Sequence, residues 1–450
     1  MSQQSTSSDP GSDDVDLEDF GLFDPAVQQC PHAYYARMQQ EAPVFAAAAP
    51  GAPLHLVTRH ENVLEVILDP ETYSSRFDTG GLGDSTAARR ITELYEAEGG
   101  YERVGTMLTV DPPEHTRYRR LVSKAFTPRV IAGLEPTFRN IAVELIDGLV
   151  AATEGGEAVD FVETVAVPLP VAVIAKALNV PDDRLADFKR WSDASIAGIG
   201  TNISIDERLV AEREVIEYQH YFAEQLNRRR SAPQDDLLTK LLNARIDRDA
   251  DDIGDDVPAE PLTMAEMLSI IQQLLVAGNE TTTKMLTEMA SLLARHPEQW
   301  DGLRRAAAAG DDELDVAARA VTEETLRLST PTQGMFRVAT RDTELAGVAL
   351  PAGSRLVAMF AAANRDPDVF DAPDEFRPGR EGVVHHLAFG KGIHHCPGAA
   401  LSRLEGKVVA EELARRVGTI SLADDNDFAY HPSFLLRGLR RLALTVTAAP

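Results

Sequence analysis

The sequence predicts a mainly α-helical fold with a minor antiparallel β part. Three observations carry this. Apolar residues recur at helical spacing from about residue 30 to residue 330. One stretch, 263–295, keeps that spacing without a break; at about 1.5 Å per residue its roughly 32 residues cross about 48 Å, the width of a domain. Strict alternation appears only late, in FRVATRD (336–342) and ELAGVALPAGSRLVAMF (344–360), with a turn expected at Pro351–Gly353. The 450 residues can bury a large core, although length alone would suggest two or three domains. Hydrophobic content of 44% with 26% charged residues is ordinary for a globular protein.

The first 20 residues carry six acids and no Lys or Arg, and read as a disordered acidic tail. The net charge of −27 argues against a nucleic-acid partner. The longest apolar run, VAVPLPVAVIA (165–175), contains two prolines and is far short of the about 20 residues that span a bilayer. No membrane association is expected, and a cytoplasmic location follows. EHTRYRR (114–120) sets His115 and Arg119 on one helical face, where two cationic donors suit an anion; a solvated basic face is the plainer reading. IDRDADDIGDD (246–256) starts like a calcium loop but has Asp252 where the turn needs glycine and Pro258 where the loop needs its closing glutamate, so it reads as an acidic connection.

Thr263 and Glu266 form a T-x-x-E capping box that opens the long helix, with Leu262 and Met267 as a staple; Pro297 ends it. Its middle, VAGNETTTK (276–284), is polar where a buried helix should be apolar. Glycine and threonine are poor helix formers, and a threonine hydroxyl can loosen the turn. A local opening beside Glu280 and Thr281 is expected there, with Lys284 facing the surface. Further on, Glu324 and Arg327 stand one turn apart in EETLR, a spacing that usually gives a surface bridge.

HHLAFGKGIHHCPGAAL (385–401) gathers His and Cys, the usual transition-metal ligands. A structural zinc site needs four ligands at orderly spacings, whereas His394, His395 and Cys396 are consecutive. Gly390 and Gly392 permit tight turns, and Pro397 and Gly398 lead into a helix from 399 to 417. Cys396 therefore sits just before a helix N-terminus, whose N–H groups favour a thiolate. The other cysteine, Cys30, reads as packing.

FGKGIHHCPG (389–398) resembles the haem-binding signature of the cytochrome P-450 family at every fixed position. AGNET (277–281) is similar to that family's oxygen-activating segment, ETLR (324–327) to its Glu-x-x-Arg helix, and FRPGR (376–380) to the segment whose arginine joins that pair. CPHAYYARMQQEAPV (30–44) is similar to the first helix of bacterial members. The resemblance runs from about residue 21 to residue 450 and implies one triangular α-rich domain built on the long helix, with haem b (iron protoporphyrin IX) as cofactor.

It implies Cys396 as thiolate ligand of the iron, with Phe389 beside it. It implies His115, Arg119, Arg337 and His394 on the haem propionates, and Glu280 and Thr281 as a proton relay. Glu324, Arg327 and Arg380 become a buried structural network, and Val276, Ala277, Thr332, Met335, Phe434 and Leu435 line the substrate pocket. The reaction implied is monooxygenation of a small hydrophobic molecule by O₂. Electrons would come from an iron–sulfur ferredoxin and its NAD(P)H-dependent reductase. A peroxide-using peroxygenase or a non-catalytic haem-binding protein are the alternatives. Arg117, Arg119, Arg120, Lys124 and Arg129, with Lys391, Arg403, Lys407, Arg415 and Arg416, read as a positive face for an acidic ferredoxin.

Overall fold

The computed structural model describes residues 14–77, 85–123, 128–199, 201, 203–246 and 257–450. Most of the acidic tail, Lys124, nearly all of the 246–256 loop and residues 78–84, beside the expected pocket, lie outside the described residues.

The helices, in chain order, are α1 (Pro25–Gln29), α2 (His32–Glu41), α3 (His60–Leu68), α4 (Ser85–Glu98), α5 (Glu114–Ser123), α6 (Pro128–Ala152), α7 (Pro168–Ala177) and α8 (Leu185–Ile196). After them come α9 (Ile205–Ser231), α10 (Leu237–Asn243), α11 (Met264–Arg295), α12 (Pro297–Ala309), α13 (Asp311–Ser329), α14 (Phe360–Ala363) and α15 (Ala399–Arg416). The helix predicted from the capping box is α11. The Glu266 N–H donates to Thr263 Oγ1 at 3.2 Å and the Thr263 N–H to Glu266 Oε2 at 2.7 Å. Glu266 also binds Arg117 (2.6 Å) and Tyr118 (2.7 Å), so the cap ties α11 to α5.

Both halves of α11 are core. Ile270, Ile271 and Leu275 pack with Trp191, Tyr218 and Phe222, while Met285, Met289 and Leu293 pack with Phe138, Phe161 and Val409. At about 1.5–3 kcal/mol for each large apolar side chain buried, this packing outweighs the weak helix propensity of the polar middle. The expected opening is absent. α11 is helical throughout, because the threonine hydroxyls that could loosen it bond along the helix or across to its neighbours: Thr281 to the Ala277 carbonyl (2.7 Å), Thr283 to that of Ala166 (3.0 Å) and Thr287 to that of Thr283 (2.9 Å).

A five-stranded sheet lies beside the helices. It is built from β1 (Val44–Ala47), β2 (Leu54–Val57), β3 (Tyr73–Ser74), β5 (Met335–Ala339) and β8 (Arg355–Ala358), in the order β1-β2-β8-β5-β3. Its ladders are antiparallel except β2–β8, which is parallel. β4 (Val159–Asp160), β9 (Val417–Leu422) and β10 (Ala443–Ala448) form a second, antiparallel sheet. The late hairpin turns earlier than the alternation predicts. β6 (Thr343–Leu345) and β7 (Val348–Leu350) are joined at Ala346–Gly347, both with left-handed φ (+48° and +79°). The Pro351–Gly353 turn instead passes the chain to β8, which sets Arg337 of β5 opposite Leu356.

α15 starts three residues after Cys396 and crosses α11 just past Thr281. There Thr282 Oγ1 donates to Glu405 at 3.3 Å and Ser402 Oγ lies 3.9 Å from Met285 Sδ. The cysteine loop is thereby carried to the middle of the long helix.

Candidate functional site

The loop 387–398 is shaped by its glycines and by one long-range bond. Gly390 and Gly392 hold φ of +62° and +70°, where any side chain is strained. A Cβ on Gly392 would also press on Ile67 O at 3.1 Å. The Leu387 N–H donates to Asn364 Oδ1 (2.6 Å), anchoring the loop's start. The Cys396 N–H donates to Phe389 O (2.9 Å), closing the loop. Cys396 is half-buried. Burial pushes its thiol up, while the N–H groups of Gly398 and Ala399 and the charges of Arg119 and Arg403 act in the opposite sense. Phe389 lies between a cation and a ring: Arg403 stands 4.5 Å over it and His386 6.0 Å away.

Beside this loop the structure gathers two arginines, Arg119 and Arg337, and two histidines, His115 and His394. His115 of α5 is buried, its ring 4.4 Å from that of His394, and its Nε2 has no hydrogen-bond partner among the described residues. His394 is held at both nitrogens, by Ser75 Oγ (2.9 Å) and Met107 O (3.0 Å). Burial and Arg119 hold His115 down to about 4; burial, Arg337 and His115 hold His394 down to about 3. Arg337 is buried and donates to Phe336 O (2.7 Å). Burial lowers it to about 10, the nearby charge of Asp111 opposing. Arg119 reaches the His395 carbonyl at 2.5 Å. Among the described residues no acid lies within ion-pair distance of Arg119 or Arg337. The solvated basic face expected for His115 and Arg119 is thus replaced by an inward one.

On α11, Ala277 is exposed although the helix crosses the core, and Val276, Gly278 and Thr281 are half-buried beside it. That face is the accessible side of an otherwise buried helix. Thr332 and Met335 are half-buried; Phe434 and Leu435 lie in the core cluster with Tyr35, Met38 and Leu56. Glu280 is turned from Thr281 and buried: its Oε2 accepts from Lys284 Nζ at 2.8 Å, and its Oε1 lies 3.7 Å from Lys189 of α8. Burial pushes the Glu280 carboxyl up, but Lys284 and Lys189 outweigh it and leave it below its ordinary value. Lys284 is therefore buried, not on the surface.

The pair in EETLR is no surface bridge. Glu324 and Arg327 are fully buried and bidentate, at 2.9 Å for both bonds. Arg380 Nε adds a third contact at 3.0 Å, and the Arg377 N–H a fourth at 2.9 Å. Arg327 also donates to the carbonyls of Asn364 (2.8 Å) and Pro373 (2.7 Å), which ties the network to the residue anchoring the cysteine loop.

The positive face expected for a redox partner is mostly spent internally. Lys407 is buried among Glu135, Asp315 and Glu411; Arg415 and Arg416 bind Glu412; Arg403 binds Glu323; Arg117 binds Glu266. These acids come from α6, α11, α13 and α15 itself, so the pairings are tertiary as well as local. Arg120 alone of that set on α5 is exposed, with no ion pair among the described residues.

A thiol at a helix start, with the half-buried Arg119, the buried Arg337 and a His115 nitrogen unpartnered among the described residues gathered beside its loop, fits an iron porphyrin: sulfur for the metal, positive charge and a hydrogen bond for two carboxylate arms. Fold and site together define the class of haem-thiolate proteins.

Residues 205–416 match the family model described as cytochrome P450. The chain is 34% identical over 430 residues to cytochrome P450 107B1 of Saccharopolyspora erythraea, covering 95% of this chain and 98% of that one. It is 34% identical over 431 residues to the vitamin D(3) 25-hydroxylase of Pseudonocardia autotrophica, covering 95% and 97%. The solved structure of cytochrome P450 CYP109Q5 from Chondromyces apiculatus superposes with a TM-score of 0.78 at 35% identity, over 95% of this chain and 98% of that one. The chain belongs to the cytochrome P450 family. It is a monooxygenase with haem b as cofactor, and it uses O₂ and a redox partner. Among the described residues, no helix is long and apolar enough to cross a membrane.

Proposed function

We propose that this enzyme hydroxylates a small hydrophobic molecule with O₂, using electrons from an iron–sulfur ferredoxin and its NAD(P)H-dependent reductase. The overall change consumes two electrons and two protons; one oxygen atom enters the substrate and the other leaves as water. Haem, when bound, supplies the oxygen chemistry, and a thiolate ligand pushes electron density that favours O–O cleavage. The observation that carries the reading is the Cys396 thiol, backed by the N–H groups of Gly398 and Ala399 and set beside Arg119 and Arg337, neither of which has an acid within ion-pair distance among the described residues.

Cys396 is assigned as the iron ligand, with Phe389 packed beside it. His115, Arg119 and Arg337 hold the propionates, the His115 Nε2, unpartnered among the described residues, bonding a carboxylate oxygen; His394, expected beside them, is bonded at both ring nitrogens and instead backs the His115 ring. Thr281 Oγ1 holds a proton at the exposed face of α11, and the Glu280 carboxylate relays its replacement from the α8 side, taking up each proton before passing it on. Val276, Ala277, Thr332 and Met335 contact the substrate, with Phe434 and Leu435 packed behind them. The name of the vitamin D(3) 25-hydroxylase supports a hydrophobic substrate of steroid type within this class. One unit from residue 21 to residue 450 carries all of this.

The test is the reduced carbon-monoxide spectrum. Cys396→Ala should lose the thiolate-type band and all oxygenation, while Cys30→Ala keeps both. Loss of the band in the Cys30 variant, or its survival in the Cys396 variant, refutes the assignment.

A further inference from the structure

Glu280 and Thr281 are neighbours in sequence but meet different surroundings. Thr281 Oγ1 bonds back to Ala277 O at 2.7 Å, on the open face of α11. Glu280 lies on the buried side. Two lysines reach it: Lys284 at 2.8 Å, one turn along the same helix, and Lys189 of α8 at 3.7 Å. They are not equivalent. Lys189 is about a third exposed and also binds Asp193, its partner one turn on. Lys284 is buried, and among the described residues Glu280 is the one carboxylate within ion-pair distance of it. Its stem is walled in by the C-terminal segment that the Tyr430–Leu439 bridge closes: a Cβ on Gly438 would overlap Lys284 Cγ.

The other titratable groups facing Glu280 supply no positive charge. Asp193 of α8 lies near enough for its charge to act on Glu280 and is itself held above its ordinary value by burial. His431, from the segment that walls in Lys284, is held neutral, at about 4, by burial and by Lys284. A buried carboxylate that loses its partner cation becomes hard to ionise, and an opposite charge within about 4–6 Å is worth about 1–3 pH units.

We propose that Lys284 is a positioning residue: its ammonium keeps Glu280 ionised and turned toward α8, and does so whether or not α8 is docked. Lys189 travels with α8, whereas Lys284 shares Glu280's helix. Any displacement of α8 would then leave the relay acid charged and in place. This deepens the reading above and rests on its assignment of Glu280 and Thr281 to proton delivery.

Four forms of the holoenzyme test it: wild type, Lys284→Met, Glu280→Gln and the double variant, each unfolded in urea between pH 5 and 7.5. With Lys284 present, the depressed Glu280 carboxyl contributes stability above the unfolded value of 4.5, lost as pH falls. Without Lys284 the attraction that offsets burial is largely lost and the carboxyl titrates higher. The Lys284→Met penalty should then grow as pH rises through this window and vanish in the Glu280→Gln background. Lys284→Arg should restore wild-type behaviour. In turnover, Lys284→Met should give the ratio of product to NADH a pH dependence below neutrality that wild type lacks and Glu280→Gln abolishes. A penalty that is flat with pH, or equal in both backgrounds at position 280, overturns the clamp. If the cycle holds but Thr281→Ala leaves that ratio unchanged, the relay assignment fails and Lys284's part in turnover falls with it.

Discussion

Glu405 is a buried acid with no cation beside it among the described residues. It sits two turns into α15, 1% exposed; Oε2 receives only the Thr282 hydroxyl at 3.3 Å, and Oε1 has no partner. Burial raises it from its ordinary 4.5 to about 8. The sign follows from linkage. The folded value lies above the unfolded one, so the unfolded chain releases its proton first and stability falls as pH rises from about 4.5, levelling off near 8. At pH 7 the unfolded carboxyl is about 2.5 units past its midpoint while the folded one remains protonated. At about 1.36 kcal/mol per unit, that costs about 3 kcal/mol. Glu405→Gln keeps the shape and the bond from Thr282 but cannot ionise. The variant should match or trail wild type near pH 5 and gain on it steadily to pH 8, by about 3 kcal/mol near neutrality. Urea midpoints of the two holoenzymes at pH 5, 6, 7 and 8 measure it, and taking the difference cancels every other titrating group. A difference that does not change with pH would show that Glu405 is charged in the folded protein or reaches water, and would refute the reasoning.

Glu324→Ala strands Arg327 in a fully buried site, a loss of about 3–5 kcal/mol, and should yield haem-poor or insoluble protein; well-folded, fully loaded variant would contradict the network's role. Thr281→Ala should bind haem and substrate and consume NADH but divert electrons to hydrogen peroxide, since a positioned proton donor is typically worth about 10²–10⁴-fold. Product per NADH is the readout, and an unchanged ratio counts against the relay. Arg120→Glu should slow ferredoxin-supported turnover at low ionic strength and leave peroxide-supported turnover alone, with the gap closing as salt rises; equal rates at low salt would put the docking site elsewhere.

What could be read from the sequence was the chemistry that a short segment carries by itself. The Gly-x-Gly turn, the cysteine and the Pro-Gly helix start all lie within ten residues, and their φ angles and closing bond follow from that segment. The capping box at Thr263 and the end at Pro297 are equally local, and both bounds of α11 hold. Spacing also pairs Glu324 with Arg327, but it cannot say that both are fully buried. That depends on Arg380 and on carbonyls 37 and 46 residues away. Lys284 fails for the same reason. Its i,i+4 relation to Glu280 was available as a signal, yet a lysine at that spacing usually points to water, and only the C-terminal segment at Gly438 closes over it.

Lys407 shows the cost of counting charges along a chain. Its partners Glu135 and Asp315 stand on α6 and α13, so a residue that reads as part of a docking face is a buried brace between helices. Neighbouring acids are divided in the same way. Glu324 closes on Arg327 and Arg380, while Glu323, one position earlier, turns outward to His386 and Arg403. Arg403 in turn lies over Phe389. Two adjacent glutamates thus brace the cysteine loop from different sides, one through the buried carbonyls near Asn364 and the other through the ring beside the thiol. That division depends on which face of α13 each residue occupies, and α13's own sequence does not contain the partners that choose it.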